Sequence, residues 1–178
     1  MSIDFEIKES KILDGVRILT PSISTDRRGS IWSSYVEDQI DKLLPENLVF
    51  KHDKFSESKH NVLRGIHGDL KTWKLVTCVF GEIFQVVVDL RIDSPTYKKW
   101  DSFLINKNNK SLILLPPGTG NAFYVLSNVA LYHYKLAYEG EYLDFKDQFT
   151  FQWNDKSFNI NWPSTNPILS SRDNFTQR

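Results

Sequence analysis

The sequence predicts a mainly β domain, a sandwich or barrel with a jelly-roll route and few short helices. Three observations point to it. Apolar residues recur at every second position over many short runs, Gly, Pro, Asn or Asp bound each run, and a single stretch has helical spacing. Many consecutive short strands with one early helix favour antiparallel sheets over alternating parallel α/β units.

Taken in chain order, the first expected element is a helix over residues 34–44, where Val36, Ile40, Leu43 and Leu44 recur at helical spacing and Pro45 ends the pattern. Strands are expected over 62–66 and 74–80. Over 82–91 the even positions carry Phe84, Val86, Val88 and Leu90, a core face. The odd positions mix Ile83 and Val87 with Gln85, Asp89 and Arg91, which predicts a semi-polar face. Further strands are expected over 100–105, 112–115 and 122–126. The last, 131–138, places Tyr132, Tyr134, Leu136 and Tyr138 on one face and His133 and Lys135 on the other. No repeat, low-complexity tract or linker interrupts this series, so residues 1–178 are expected to form one domain. A small barrel of this kind can hold a ligand in its mouth.

Composition narrows the partners. Twenty-two basic residues balance 22 acidic ones, and no Lys/Arg run occurs, so the field that nucleic-acid binding needs is missing. The one cysteine, Cys78, has no disulfide partner in the chain, and no Cys/His spacing suits zinc. The start lacks a secretory pattern, and no apolar run approaches the ~20 residues that a bilayer-crossing helix needs. A cytoplasmic protein without nucleic-acid or membrane partners is the expectation.

Polar residues gather in a few places. In Arg64-Gly65-Ile66-His67-Gly68-Asp69 a strand abruptly acquires an Arg and a His, with glycines on both sides of Ile66-His67. Strict alternation would point Arg64, Ile66 and Gly68 one way and Gly65 and His67 the other. His67 fits either a base or an ordinary hydrogen-bonded histidine, Lys74 either a site cation or a surface lysine, and Tyr134 either an acid or a core aromatic. Brought together in a bowl, the three suffice to move a carbon-bound proton beside a carbonyl. Adjacent arginines in Asp26-Arg27-Arg28-Gly29 suit a diphosphate or an exposed turn. Asp173, in Ile168-Leu169-Ser170-Ser171-Arg172-Asp173, can orient a histidine if the tail folds back.

These segments together resemble the dTDP-4-dehydrorhamnose 3,5-epimerase family of cupin-like jelly-roll enzymes. The resemblance lies in an ordered series: DRRG at 26–29, NVLRGIHGD at 61–69, KLV at 74–76, GEIFQVVVDLR at 81–91 and DSPTY at 93–97, then PPGTGNAFYVLS, YHYK, WND, INWP and ILSSRD. It implies an epimerase of a nucleotide-linked 4-keto-6-deoxy sugar that needs no cofactor and no metal, because the keto group itself acidifies the hydrogens at C-3 and C-5. It further implies His67 as base oriented by Asp173, Tyr134 as acid on the opposite face of the sugar, and Lys74 at the enolate. Arg28, Arg64 and Arg172 match family positions that hold the diphosphate and sugar. His52, Asp53 and Asn121 fall in family binding segments, and a homodimer is implied.

The chain departs from the usual family pattern at three points, with Asn121 where a His is typical, Gln85 where an Asp is typical, and a short span from His67 to Lys74. The first two variations look more like a branch acting on GDP-4-keto-6-deoxy-heptoses in campylobacter-type capsule synthesis than like the rhamnose enzymes. A heptose substrate is therefore expected first, with dTDP-4-dehydrorhamnose or a non-catalytic sugar-nucleotide-binding module as alternatives. A metal-dependent cupin is disfavoured, because His67 is followed by Gly68-Asp69 rather than a second His and the later ligand position is Asn121.

Overall fold

A computed structural model describes residues 4–174. The strands are Phe5–Glu9 (β1), Arg17–Pro21 (β2), Ser24–Asp26 (β3), Gly29–Ile31 (β4), His52–Lys59 (β5), Leu63–Gly68 (β6) and Trp73–Phe80 (β7). They continue with Glu82–Asp89 (β8), Trp100–Asn106 (β9), Leu112–Leu115 (β10), Thr119–Val125 (β11), Val129–Ala137 (β12) and Phe149–Thr150 (β13). A short helix, Glu37–Ile40 (α1), runs into one turn of 3-10 helix, Asp41–Leu43. Among the described residues no helix is long and apolar enough to cross a membrane.

Two antiparallel sheets form a jelly-roll sandwich, one in the order β1-β2-β10-β7-β12-β5 and the other β13-β6-β11-β8-β9, while β3 and β4 make a separate hairpin. Between the sheets, Val76, Ile113, Leu115 and Tyr132 share a buried cluster with Ile83, Val87, Phe123 and Val125. Burying each large apolar side chain of this kind stabilises the fold by about 1.5–3 kcal/mol. The helical turn covers the outer face of the six-stranded sheet, packing Ile40 and Leu44 among Leu19, Leu75 and Leu112.

The expected helix over 34–44 is real in its apolar face but shorter. Val36 offers no side-chain cap, and Leu44 is extended at ψ 164° ahead of Pro45. The expected semi-polar face of 82–91 is corrected more strongly, since Ile83, Gln85, Val87 and Asp89 are all 0% exposed. That face looks into the space between the sheets, and the middle of the even face, Val86 and Val88, is buried too. Val86 and Val88 lie beneath the tail, where Phe151, Phe158, Ile160 and Trp162 pack across the five-stranded sheet. The tail is then sewn beside β6: Ile168 N donates to Asn61 O at 2.7 Å and Leu63 N donates to Ile168 O at 3.0 Å. This return path brings the last described residues to the mouth of the sandwich.

Candidate active site

A pocket of about 250 Å³ opens between the sheets. Lys54 and Ser56 from β5, Lys74 from β7 and Tyr134 and Leu136 from β12 line one side. Arg64 and His67 from β6 and Asn121 from β11 line the other, and the tail closes it with Ser170, Arg172 and Asp173.

Arg64 and His67 reach one pocket because β6 breaks its alternation. His67 pairs with Asn121 and Arg64 with Phe123, so three steps along β6 answer two along β11. This bulge cancels the strict parity expected for Arg64 and His67. Gly65 makes it possible: its φ is +126°, and a Cβ there would lie 2.4 Å from the Ala122 Cβ.

The His67 ring faces the folded-back tail. Its Nε2 lies 2.5 Å from Asp173 Oδ1, and Ser170 Oγ donates to Asp173 Oδ2 at 2.8 Å. Asp173 is 3% exposed. A carboxylate so placed accepts the Nε2 hydrogen and leaves the other ring nitrogen free to take a proton. Tyr134 belongs to the opposite sheet, so its hydroxyl and the imidazole border the pocket from two sides. Burial raises the Tyr134 pKa despite the opposing charge of Arg64, so the phenol keeps its proton at neutral pH. Lys74 is 8% exposed. Burial lowers its pKa, and Asp69 at 3.5 Å opposes that shift.

Lys54, Arg64, Lys74 and Arg172 outnumber Asp144 and Asp173 around the pocket, a balance that suits an anionic ligand. Arg64 Nε donates to Ser58 Oγ at 2.9 Å, and Arg172 Nε donates to Thr150 Oγ1 at 2.9 Å. Each guanidinium is thereby steered by a neutral hydroxyl. Among the described residues no group of three or more His, Cys, Asp or Glu is arranged to hold a metal ion.

Three expected binding residues stand outside the pocket lining. Arg28 lies on the β3–β4 hairpin, its side chain 84% exposed and paired with Asp26 at 2.6 Å. Asp53 points to the other face of its sheet, because β5 alternates and Lys54 and Ser56 take the pocket side. There Asp53 meets His133 Nε2 at 2.6 Å and Lys135 Nζ at 2.9 Å. His52 sits at the rim, its ring 4.8 Å from that of Tyr142, a lining residue.

Sequence reasoning missed Asp69, Tyr132, Lys54 and Ser56. Tyr132 carried a signal, two positions before Tyr134 on the same strand face. Asp69 follows His67 by two residues, yet nothing local announces that it turns back towards Lys74. It does so because its Oδ1 accepts the backbone N–H groups of Lys71 at 2.9 Å and Thr72 at 2.7 Å, closing the short turn into β7.

Comparison with known proteins identifies the family of the chain. The family model described as dTDP-4-dehydrorhamnose 3,5-epimerase matches residues 10–178. The chain is 36% identical over 162 residues to the dTDP-4-dehydrorhamnose 3,5-epimerase of Salmonella typhimurium, covering 89% of this chain and 87% of that one. It is 34% identical over 164 residues to a dTDP-4-dehydrorhamnose 3-epimerase of Streptomyces niveus, covering 90% of this chain and 78% of that one. Among solved structures, a Legionella pneumophila dTDP-6-deoxy-D-glucose-3,5-epimerase in complex with dTDP-4-keto-L-rhamnose superposes with a TM-score of 0.86. That alignment has 32% identity and covers 96% of this chain and 90% of the other.

Proposed function

The chain belongs to the dTDP-4-dehydrorhamnose 3,5-epimerase family and is a sugar-nucleotide epimerase, and from that premise we propose that it inverts C-3, or C-3 and C-5, of a dTDP-linked 4-keto-6-deoxy sugar. One observation carries the reading: the His67–Asp173 pair and the Tyr134 hydroxyl border one pocket from opposite sheets. His67 removes the proton beside the keto group, and Asp173 keeps the imidazole in the required tautomer. Lys74 stabilises the enolate oxygen, whose charge grows as the C–H bond breaks. Tyr134, still protonated, returns a proton from the other face, which inverts the centre. Arg64 and Arg172 hold the diphosphate and sugar at the mouth. No cofactor enters this scheme, because the keto group supplies the acidity.

The nucleotide is assigned from the relatives, whose names specify dTDP. A second reading, a GDP-linked 4-keto-6-deoxy-heptose destined for a capsule polysaccharide, is favoured by Gln85 and Asn121, which make this part of the pocket neutral where the usual family pattern has Asp and His. Arg28 binds substrate in this reading only if a second copy presents its hairpin, which accords with the homodimer that the family resemblance implies.

The test is proton NMR in deuterium oxide with dTDP-4-keto-6-deoxyglucose and, separately, GDP-4-keto-6-deoxy-heptose. Deuterium entering at C-3, or at C-3 and C-5, of the dTDP sugar supports the proposal. Exchange confined to the GDP sugar moves the assignment to the heptose. Exchange in neither leaves a sugar-nucleotide-binding module and overturns the epimerase reading.

A further inference from the structure

Beside the pocket a buried, uncharged hydrogen-bond chain runs from the sheet that carries His67 to the sheet that carries Tyr134, and its directions are fixed by chemistry. Gln85 is 0% exposed, and its Nε2 donates to Val86 O at 3.0 Å. A backbone carbonyl only accepts, so this bond settles which end of the Gln85 amide is nitrogen. The second Nε2 hydrogen then goes to Asn121 Oδ1 at 2.7 Å. Gln85 Oε1 is occupied in turn by the hydroxyl of Tyr132, which donates at 2.6 Å and also lies 3.2 Å from Asn121 Oδ1, so Tyr132 faces the oxygen end of both amides. Tyr132 is 0% exposed and lies stacked on Phe123, with ring centroids 4.1 Å apart, so the hydroxyl has no freedom to leave.

Asn121 is the end of the chain. With its oxygen turned to Gln85, its Nδ2 must point away from the network, because the reverse orientation would set two N–H donors against each other. Nδ2 has no hydrogen-bond acceptor among the described residues, while Asn121 lines the pocket directly opposite His67 in the β6–β11 register. A donor that is oriented in advance and unpaired, beside a base, is the arrangement that stabilises developing negative charge.

Building on the epimerase reading, we propose that Asn121 Nδ2 donates a hydrogen bond to the C-4 oxygen of the sugar as it becomes an enolate, sharing that oxygen with Lys74, and that Gln85 and Tyr132 are positioning residues that hold the Asn121 amide in the donating orientation. A neutral amide here adds a second donor without placing a second positive charge next to Lys74, whose ammonium is already poorly solvated.

Three variants test the assignment, each read by the rate of solvent deuterium entry, by kcat and KM separately, and by thermal unfolding. Asn121→Ala should slow deuterium entry and kcat by about 10²-fold with KM changed little, as expected for loss of one oxyanion donor. Gln85→Glu is the sharper test. A carboxylate at position 85 accepts rather than donates, so it rotates the Asn121 amide and presents its oxygen to the pocket. The expected loss matches that of Asn121→Ala although no group touching the substrate has been replaced. The double variant should fall no further than either single one, because both remove the same donor.

Retention of exchange within twofold in a folded Asn121→Ala enzyme, or a rise in KM alone, overturns the proposal. Additive losses in the double variant overturn the positioning role of Gln85. Should Asn121→Ala fail to fold, the isosteric Asn121→Asp, which replaces the donor by an acceptor, takes its place with the same expected loss. Absence of exchange in the unaltered enzyme with both sugar nucleotides is a different result, since it removes the epimerase reading itself.

Discussion

Asp69 Oδ2 lies 3.5 Å from Lys74 Nζ, with the two side chains 1% and 10% exposed. Oδ1 of the same carboxylate is engaged with the backbone of the turn, so one group both shapes the β6–β7 connection and opposes the fall in the Lys74 pKa that burial causes. Burial lowers the Lys74 pKa, Asp69 opposes the shift, and Arg172 adds to it, while Arg64, His67, Tyr134 and Asp173 line the same pocket. Asp69→Asn retains an acceptor for the turn but removes the charge. The expected outcome is a further fall in the Lys74 pKa, so that the alkaline limb of the pH–rate profile moves to lower pH.

The same change has a thermodynamic signature. A lysine whose folded pKa lies below its unfolded value of about 10.5 binds fewer protons folded than unfolded between those two values, so stability rises with pH across that window. Asp69→Asn extends the window downwards. At neutral pH, leaving the ammonium buried and unpaired should cost up to about 3–5 kcal/mol. Urea unfolding at several pH values measures both effects, and a flat difference between the two proteins across pH would show that Asp69 does not shift the Lys74 pKa.

His67 and Asp173 should fail in different ways. Replacing His67 with Asn removes the base, and deuterium entry should drop by about 10²–10⁴-fold. Stability should change little, because the ring is half-buried at the pocket edge. Asp173→Asn keeps the shape but offers an N–H to Nε2, which favours the tautomer with its hydrogen on the other nitrogen. Exchange should fall in the same assay, and raising the pH should not restore it.

Tyr134→Phe separates abstraction from inversion. The base remains, so solvent deuterium should still enter the substrate, but return from the opposite face loses its acid and little inverted product should form. Comparing deuterium content with product configuration by NMR checks this. Equal loss of both would place Tyr134 before the proton is removed and contradict its role as acid.

Much of this was legible in the sequence where one residue's neighbours decide its fate. β10 occupies the expected span of 112–115, and β7, β8, β9 and β12 fall within a few residues of theirs, because their apolar runs are long and bounded by turn residues. β5, HDKFSESK, was not legible: it is an edge strand held mainly by its pairing with β12, and most of its side chains meet solvent. Gln85 misled in the other direction. A polar residue in an alternating strand reads as surface, and only its partners Val86, Asn121 and Tyr132 explain how it is buried at no exposure. Asp173 was readable as a partner for His67 only on condition that the tail returned, and that return rests on the backbone pairing of Ile168 with Asn61 and Leu63.

The bulge in β6 gives the last prediction, because it is where local pattern and site geometry part. Arg64 and His67 are three residues apart, a spacing that puts side chains on opposite faces of a regular strand, yet both line the pocket. Gly65 absorbs the difference. Its φ of +126° is a conformation that side chains rarely adopt, and an added Cβ would meet the Ala122 Cβ at 2.4 Å and the Asn121 carbonyl oxygen at 2.6 Å. Those contacts are with β11 itself, which cannot yield without parting the sheet. Gly65→Ala should therefore destabilise the protein by roughly 2–5 kcal/mol, in the range of backbone strain combined with overpacking. In whatever fraction folds, β6 must shift, so deuterium entry should fall through displacement of His67, and Arg64 should lose its hold on the ligand. Thermal unfolding together with the substrate KM and exchange rate reads all three effects. A Gly65→Ala enzyme of unaltered stability and activity would show that the bulge does not set the site.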